Sequence, residues 1–337
     1  MSKLLLPLLL SLVTPLATQD EASTLARLTD RADAIAVVRA LTLRDVNGPL
    51  LGVVFATQRV LHGEVPGTFE LREPVQRGCG RALFGVLPGA AHLAFLRRHE
   101  GGWQLVHSGA RALPALEPQL VPHVESLLRA SDPARRARLL GAALASETPR
   151  IRTDAALALA HQPGLEGLAA ELAGPVALAL APALRQHDPA AASLVTAAVR
   201  THSAPALELL VGEYLAGRLG ALAPLALAAA PAIDAAHAAD LVSRALPQDS
   251  AGQQRALTLL AEVPGQAARS GLLALARSLP DDAACVRAAA LALQSGVPDE
   301  DLAAATSSAT AAAARRFLAQ QASQAPRFRV VRPGASR

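Results

Sequence analysis

The chain has 337 residues, 51% of them hydrophobic but only 2% aromatic, so a core must be built from Leu, Ala and Val. Small side chains of this kind suit closely spaced helices, and the length allows two domains with separate cores. A net charge of +4 does not by itself mark a nucleic-acid binder: Lys3 is the only lysine, the arginines are dispersed, and no aromatic stripe accompanies them.

The first stretch, "MSKLLLPLLLSLVTPLATQD", has the anatomy of a secretory leader. Lys3 supplies a positive start, Leu4 to Leu16 a short apolar run, and Thr14, Pro15, Ala17 and Thr18 a small-residue exit before Asp20. Pro7 and Pro15 break the run, which is too short for a stable membrane span. Residues 1–19 are therefore expected to be a signal peptide cleaved between Ala17 and Asp20, giving a periplasmic or secreted protein. Export permits disulfides, but Cys79 and Cys285 are the only cysteines and fall in segments of different character, so both are expected as unpaired, buried thiols.

From Ala32 to Arg111 the pattern is that of strands. Runs at 32–46, 50–63, 67–73, 91–98 and 102–108 are alternating or β-branched, with turn signals at Asn47-Gly48-Pro49 and Val65-Pro66-Gly67. Five short antiparallel strands in so few residues suit a small closed barrel. Two segments, "RVLHGEVPGTFEL" and "GCGRALFGVLPGAAHLAFL", resemble the OB-type barrel of the netrin and tissue-inhibitor-of-metalloproteinase class. That resemblance implies an OB/netrin-like domain over 24–116. It does not imply metalloproteinase inhibition, because inhibitors of that class use an amino-terminal cysteine and several disulfides.

After Pro118 the period changes to that of helices punctuated by Pro and Gly. A connecting helix is expected within 117–131. Helices then follow at 132–145, 149–162, 165–173, 175–186, 189–201, 205–218, 221–230, 234–246, 250–262, 266–279, 281–294 and 299–322. "IRTDAALALA" (151–160) returns as "CVRAAALALQ" (285–294), and Leu157, Leu194, Leu225, Leu257 and Leu291 are spaced by 37, 31, 32 and 34 residues. This period resembles that of HEAT repeats and implies an all-α solenoid of helix pairs over 132–322, ending in a basic flexible tail at 323–337.

Residues suited to chemistry are sparse. The nine histidines form no H-E-x-x-H pair, although His99 and His107 flank a predicted hairpin. Asp281-Asp282 and Asp299-Glu300-Asp301 sit where helices begin and suit the helix dipole better than acid–base work. Trp103 is expected in the barrel core. Cys79, between glycines and near Arg77 and Arg81, is the one candidate reactive thiol. Arg327, Arg329 and Arg332 in the tail are candidates for contact with an anionic envelope polymer. No catalytic, cofactor or metal residues are assigned, and neither a cofactor nor a nucleic-acid partner is expected. The sequence thus points to an exported, non-enzymatic scaffold that binds another protein on the concave solenoid face. The alternative is an exported enzyme or accessory subunit working through the Cys79 loop or the barrel mouth.

Overall fold

The computed structural model describes residues 22–46, 50–74, 86–100, 102–107, 110–233, 250–279 and 282–324. Contacts divide the chain into two compact units, up to Leu207 and from Glu208 onward. The expected leader, the expected Cys79 loop with Arg77 and Arg81, the expected helix at 234–246, and the expected tail with Arg327, Arg329 and Arg332 lie outside the described residues.

Among the described residues the first unit begins with a helix, α1 (Leu25–Arg31), which the strand and helix patterns do not announce. At only seven residues it carries little periodicity, but Thr24 caps it by accepting the Arg27 N–H. Five strands follow: β1 (Ala34–Val46), β2 (Leu50–His62), β3 (Thr68–Pro74), β4 (Ala91–His99) and β5 (Gly102–Leu105). They form one antiparallel sheet in the order β3-β2-β1-β4-β5, curled into a half-barrel. Register shifts between β1 and β2 at Ile35/Ala36, Val37/Val38 and Ala40/Thr42 supply bulges that bend the long strands. The edge strands β3 and β5 approach each other without pairing, so among the described residues the sheet stops short of the closed barrel that the strand count suggested.

Alternation along β1 and β4 separates two buried faces. Ala34, Ala36, Val38, Ala94 and Leu96 join Val53, Phe55, Phe69 and Leu71 in the half-barrel core, where Phe55 and Phe69 stack at 5.7 Å. Ile35, Val37, Leu93 and Phe95 are buried on the opposite face, and α1 contacts β4, α2 (Leu120–Arg129) and α4 (Pro149–Ala160). The small alanines on β1 let the strongly curled sheet close around two phenylalanines. Gly63, with φ 68°, makes the turn after β2; a Cβ there would meet the Asp33 carbonyl oxygen at 2.2 Å.

The helices of the first unit continue with α3 (Pro133–Ala143), α5 (Ala169–Gln186) and α6 (Ala191–Arg200). Asp132 caps α3 by accepting the Arg135 N–H, with Pro133 at the first helical position. The two helices expected at 165–173 and 175–186 are instead a 3-10 turn over Leu165–Leu168 followed by the single helix α5. Pro175 and Pro182 both lie inside α5, so proline does not break it. Tertiary packing against α3 and α6 outweighs the lost backbone hydrogen bonds. Leu165–Gln186 is long and apolar enough to cross a membrane by length and composition, yet it packs against both neighbouring helices of this unit.

α7 (Ala204–Leu215) runs across the unit boundary. The second unit continues with α8 (Ala223–Ala229), α9 (Ser250–Glu262), α10 (Gln266–Ser278), α11 (Asp282–Gln294), α12 (Asp299–Ala305) and α13 (Ser308–Gln324). The helix expected at 221–230 is shortened to α8 between two 3-10 turns. That expected at 299–322 is split, because Thr306 is extended and Ser307 accepts the Thr310 N–H to start α13 anew. In the first unit α4 packs on α3 and α6, and α5 on α3 and α6. In the second, α9, α10, α11, α12 and α13 each touch the next helix or the next but one.

Candidate functional site

Hollows open on the described residues of the first unit. The first, 490 Å³, lies at the mouth of the half-barrel between the β2–β3 and β4–β5 turns, lined by Glu64, Val65, Pro66, Arg98, His99, Gly102 and Trp103. Trp103 is half-buried and packs on the barrel core, as its place in the sequence suggested, and the Arg98 guanidinium lies over its ring at 5.5 Å from the centroid. Arg98 also reaches Glu64 at 3.9 Å, a solvent-exposed pair of small energetic weight. His99 turns its Nδ1 toward the Glu100 carbonyl, 3.3 Å away.

Two further hollows flank the turn between α3 and α4. One, 430 Å³, is lined by Gln119, Pro122, His123 and Ser126 of the α2 segment, by Leu139, Ala142 and Ala143 of α3, and by Ser146 and Ile151. Its polar rim is tied together: Gln119 Oε1 accepts from Ser146 Oγ at 3.0 Å and Thr148 Oγ1 at 3.3 Å. Burial lowers the His123 pKa to about 4, so the ring is neutral at physiological pH. The second, 220 Å³, lies between Leu144, Arg152 and Ala156 on one side and Ala179, Pro182, Ala183 and Gln186 of α5, with Asp188, Ala190 and Leu194, on the other. Ser146 joins the two rims, because its carbonyl accepts from Arg152 Nη1 at 3.0 Å.

Beneath this surface a buried polar clasp holds the amino-terminal segment. Asp154, 3% exposed in the middle of "IRTDAALALA", accepts the Leu25 backbone N–H at 3.0 Å and Arg150 Nε at 2.6 Å. Arg150 Nη2 continues to the Ser23 carbonyl at 2.8 Å, and Arg111 donates to Ser23 Oγ at 3.0 Å. Arg136 closes the far end of α1, on Asp30 and the Ala26 carbonyl. Burial raises the Asp154 pKa, against the pull of Arg150 and of the Leu25 N–H. A second buried polar group, His92 on β4, bonds through Nδ1 to the Leu113 carbonyl, while its Nε2 is buried with no partner among the described residues. Burial lowers the His92 pKa, with the backbone contacts opposing.

The sequence candidates meet this geometry unevenly. Asp299, Glu300 and Asp301 form the first turn of α12, where the helix dipole accounts for them. Among the described residues no group of three His, Cys, Asp or Glu side chains could hold a metal ion. Cys285 sits in the first turns of α11 and donates through Sγ to the Leu279 carbonyl at 3.0 Å. Asp154 and Arg152 are functional-looking residues that composition and motif do not single out. The available signal for Asp154 is a carboxylate inside an alanine-rich run, four residues after Arg150. Comparison with known protein families, curated proteins and solved structures returned no match for this chain.

Proposed function

We propose that the chain is an exported, non-enzymatic binding protein, in which an OB/netrin-like head precedes a HEAT-like array that presents its surface to another polypeptide. The observation that carries this reading is the helix packing. In the first unit α4 and α5 each pack on α3 and α6, and in the second the helices from α9 to α13 touch a neighbour or a next-but-one neighbour, as stacked helix pairs would. The repeat markers are consistent with it, since Leu157, Leu194, Leu225, Leu257 and Leu291 fall on five separate helices, α4, α6, α8, α9 and α11. Stacked pairs leave clefts between successive repeats, and those beside the α3–α4 turn have an apolar floor with a few fixed polar groups, the make-up of recognition sites.

The test is retention from an envelope fraction on the tagged mature chain, with the retained polypeptide identified and then displaced by untagged protein. Failure to retain any competable polypeptide overturns the binding reading. Export is checked separately by the amino-terminal sequence of the secreted product: a chain that begins at Met1 removes the leader from the proposal.

A further inference from the structure

We infer that the 220 Å³ cleft beside the α3–α4 turn binds the carboxy-terminal residue of a partner polypeptide, with Arg152 receiving its carboxylate. This rests on the binding reading above and specifies what is bound.

Three observations converge on the cleft. The first is charge. Arg138 and Arg200, which flank this part of the array, each hold a carboxylate, Glu171 at 2.6 Å and Glu166 at 2.9 Å. Among the described residues Arg152 has only the neutral Ser146 carbonyl, on one Nη, which leaves guanidinium N–H groups for a carboxylate in the fork geometry that arginine favours. The second is shape. Leu144, Ala156, Ala183, Ala190 and Leu194 are all buried and form an apolar wall, and the alanines leave a space far above the ~15 Å³ that a single water needs. An aliphatic side chain fits that wall, whereas water gains little from it.

The third observation concerns Asp188, which lines the same cleft. Its Oδ1 is engaged by the Ala190 N–H at 2.8 Å, at the start of α6, where the helix end favours negative charge. That engagement fixes one oxygen and leaves Oδ2 to accept the last backbone N–H of an incoming chain. Carboxylate, side chain and final N–H thus each find a counterpart among the residues that line the cleft. In a side-chain acid the carboxylate stands one or two bonds farther from its own backbone N–H than in a terminal residue.

The experiment uses the full mature chain and a dye-labelled Gly-Ser-Gly-Ala-Ala-Leu peptide, read by fluorescence anisotropy. The expected result is at least tenfold tighter binding of the free acid than of the carboxy-terminal amide, a factor equal to about 1.4 kcal/mol. Arg152→Gln should bring the acid down to the level of the amide, and Arg152→Lys should restore part of the difference. Ala179→Leu, which narrows the cleft without touching Arg152, should weaken both peptides. Circular dichroism and Trp103 emission report whether each variant is folded. Equal affinity for acid and amide, an acid preference that survives Arg152→Gln, or no binding of either peptide at about 1 mM overturns the proposal. Tighter binding of free leucine than of the peptide reassigns the cleft to an amino acid and equally overturns it. Should Arg152→Gln still retain the same envelope polypeptide, this cleft is excluded while the binding reading stands. If the unaltered chain retains none, the binding reading itself falls.

Discussion

Asp154→Ala tests whether the buried clasp holds the amino-terminal helix in place. The substitution deletes the acceptor for two donors, the Leu25 N–H and Arg150 Nε, and leaves the Arg150 side chain, 21% exposed, without its carboxylate. Removing one partner of a buried ion pair costs about 3–5 kcal/mol, and a buried N–H left unpaired costs about 1–3 kcal/mol. The two losses overlap, because one oxygen serves both donors, and Arg150 keeps its bond to the Ser23 carbonyl. The expected destabilisation of the first unit is therefore about 3 kcal/mol, a Tm drop of roughly 6–12 °C for a unit of this size. Asp154→Asn retains an oxygen for Leu25 and should lose only about 1–2 kcal/mol.

Trp103 is the only tryptophan and belongs to the first unit, so urea unfolding followed by its emission reports this unit selectively. Hydrogen exchange adds a local readout: the Leu25 amide should exchange much faster in Asp154→Ala, while amides of β1 and β4 change only in proportion to global stability. A loss below about 1 kcal/mol, or equal losses for Ala and Asn, refutes the argument that a buried charge pair anchors α1. Replacing both partners, Arg150→Met with Asp154→Leu, should recover the part due to the unpaired charge but not the part due to the Leu25 N–H, which still lacks its acceptor.

Gly63→Ala should destabilise the first unit by about 2–4 kcal/mol, because the turn needs positive φ and the new Cβ would strike the Asp33 carbonyl; a chemical-denaturation midpoint within error of the parent refutes this. His123 should make the first unit acid-sensitive. Its folded pKa of about 4 lies below the ordinary 6.5, so the folded state prefers the neutral ring. That contribution is complete above pH 6.5 and is lost as pH falls toward 4, at about 1.4 kcal/mol per unit. His123→Leu should flatten the stability profile in that window, and an unchanged slope contradicts the assignment. Leu178→Gln, at a side chain 79% exposed on α5, should shift stability by no more than about 0.5 kcal/mol in the same denaturation assay.

Strand existence was legible because β-branched alternation is a two-residue signal that needs no distant partner. Runs at 32–46 and 50–63 became β1 and β2 almost without change. What alternation cannot show is how far the sheet closes, which depends on edge approach and bulges far apart in sequence. Helix boundaries set by capping chemistry, such as Asp132-Pro133, were also legible. Those that rest on proline alone are not: Gly174-Pro175 suggests a break between helices at 165–173 and 175–186, yet packing against α3 and α6 carries α5 through it. The clasp was hidden for a different reason. Asp154 finds Leu25 across 129 residues, so its meaning arises only when the first helix is laid against α4.

The repeated motif gains from this contrast. Aligned with "CVRAAALALQ", Asp154 stands where Ala288 stands in the later copy. Ala288 is wholly buried, the ordinary state of an alanine on the packing side of a helix. In α4 the same position faces α1, whose first turn exposes backbone N–H groups that no helix of its own can satisfy. A carboxylate there answers that need, and Arg150 one turn earlier balances its charge. The substitution of a charge into an otherwise apolar position therefore follows from what α4 covers rather than from catalysis. By the same logic Arg152, two residues from both Arg150 and Asp154 on the same helix, holds only a carbonyl among the described residues, and no internal group there answers its charge. That difference, between an arginine the fold has used and one it has left available, separates the structural clasp from the candidate recognition cleft.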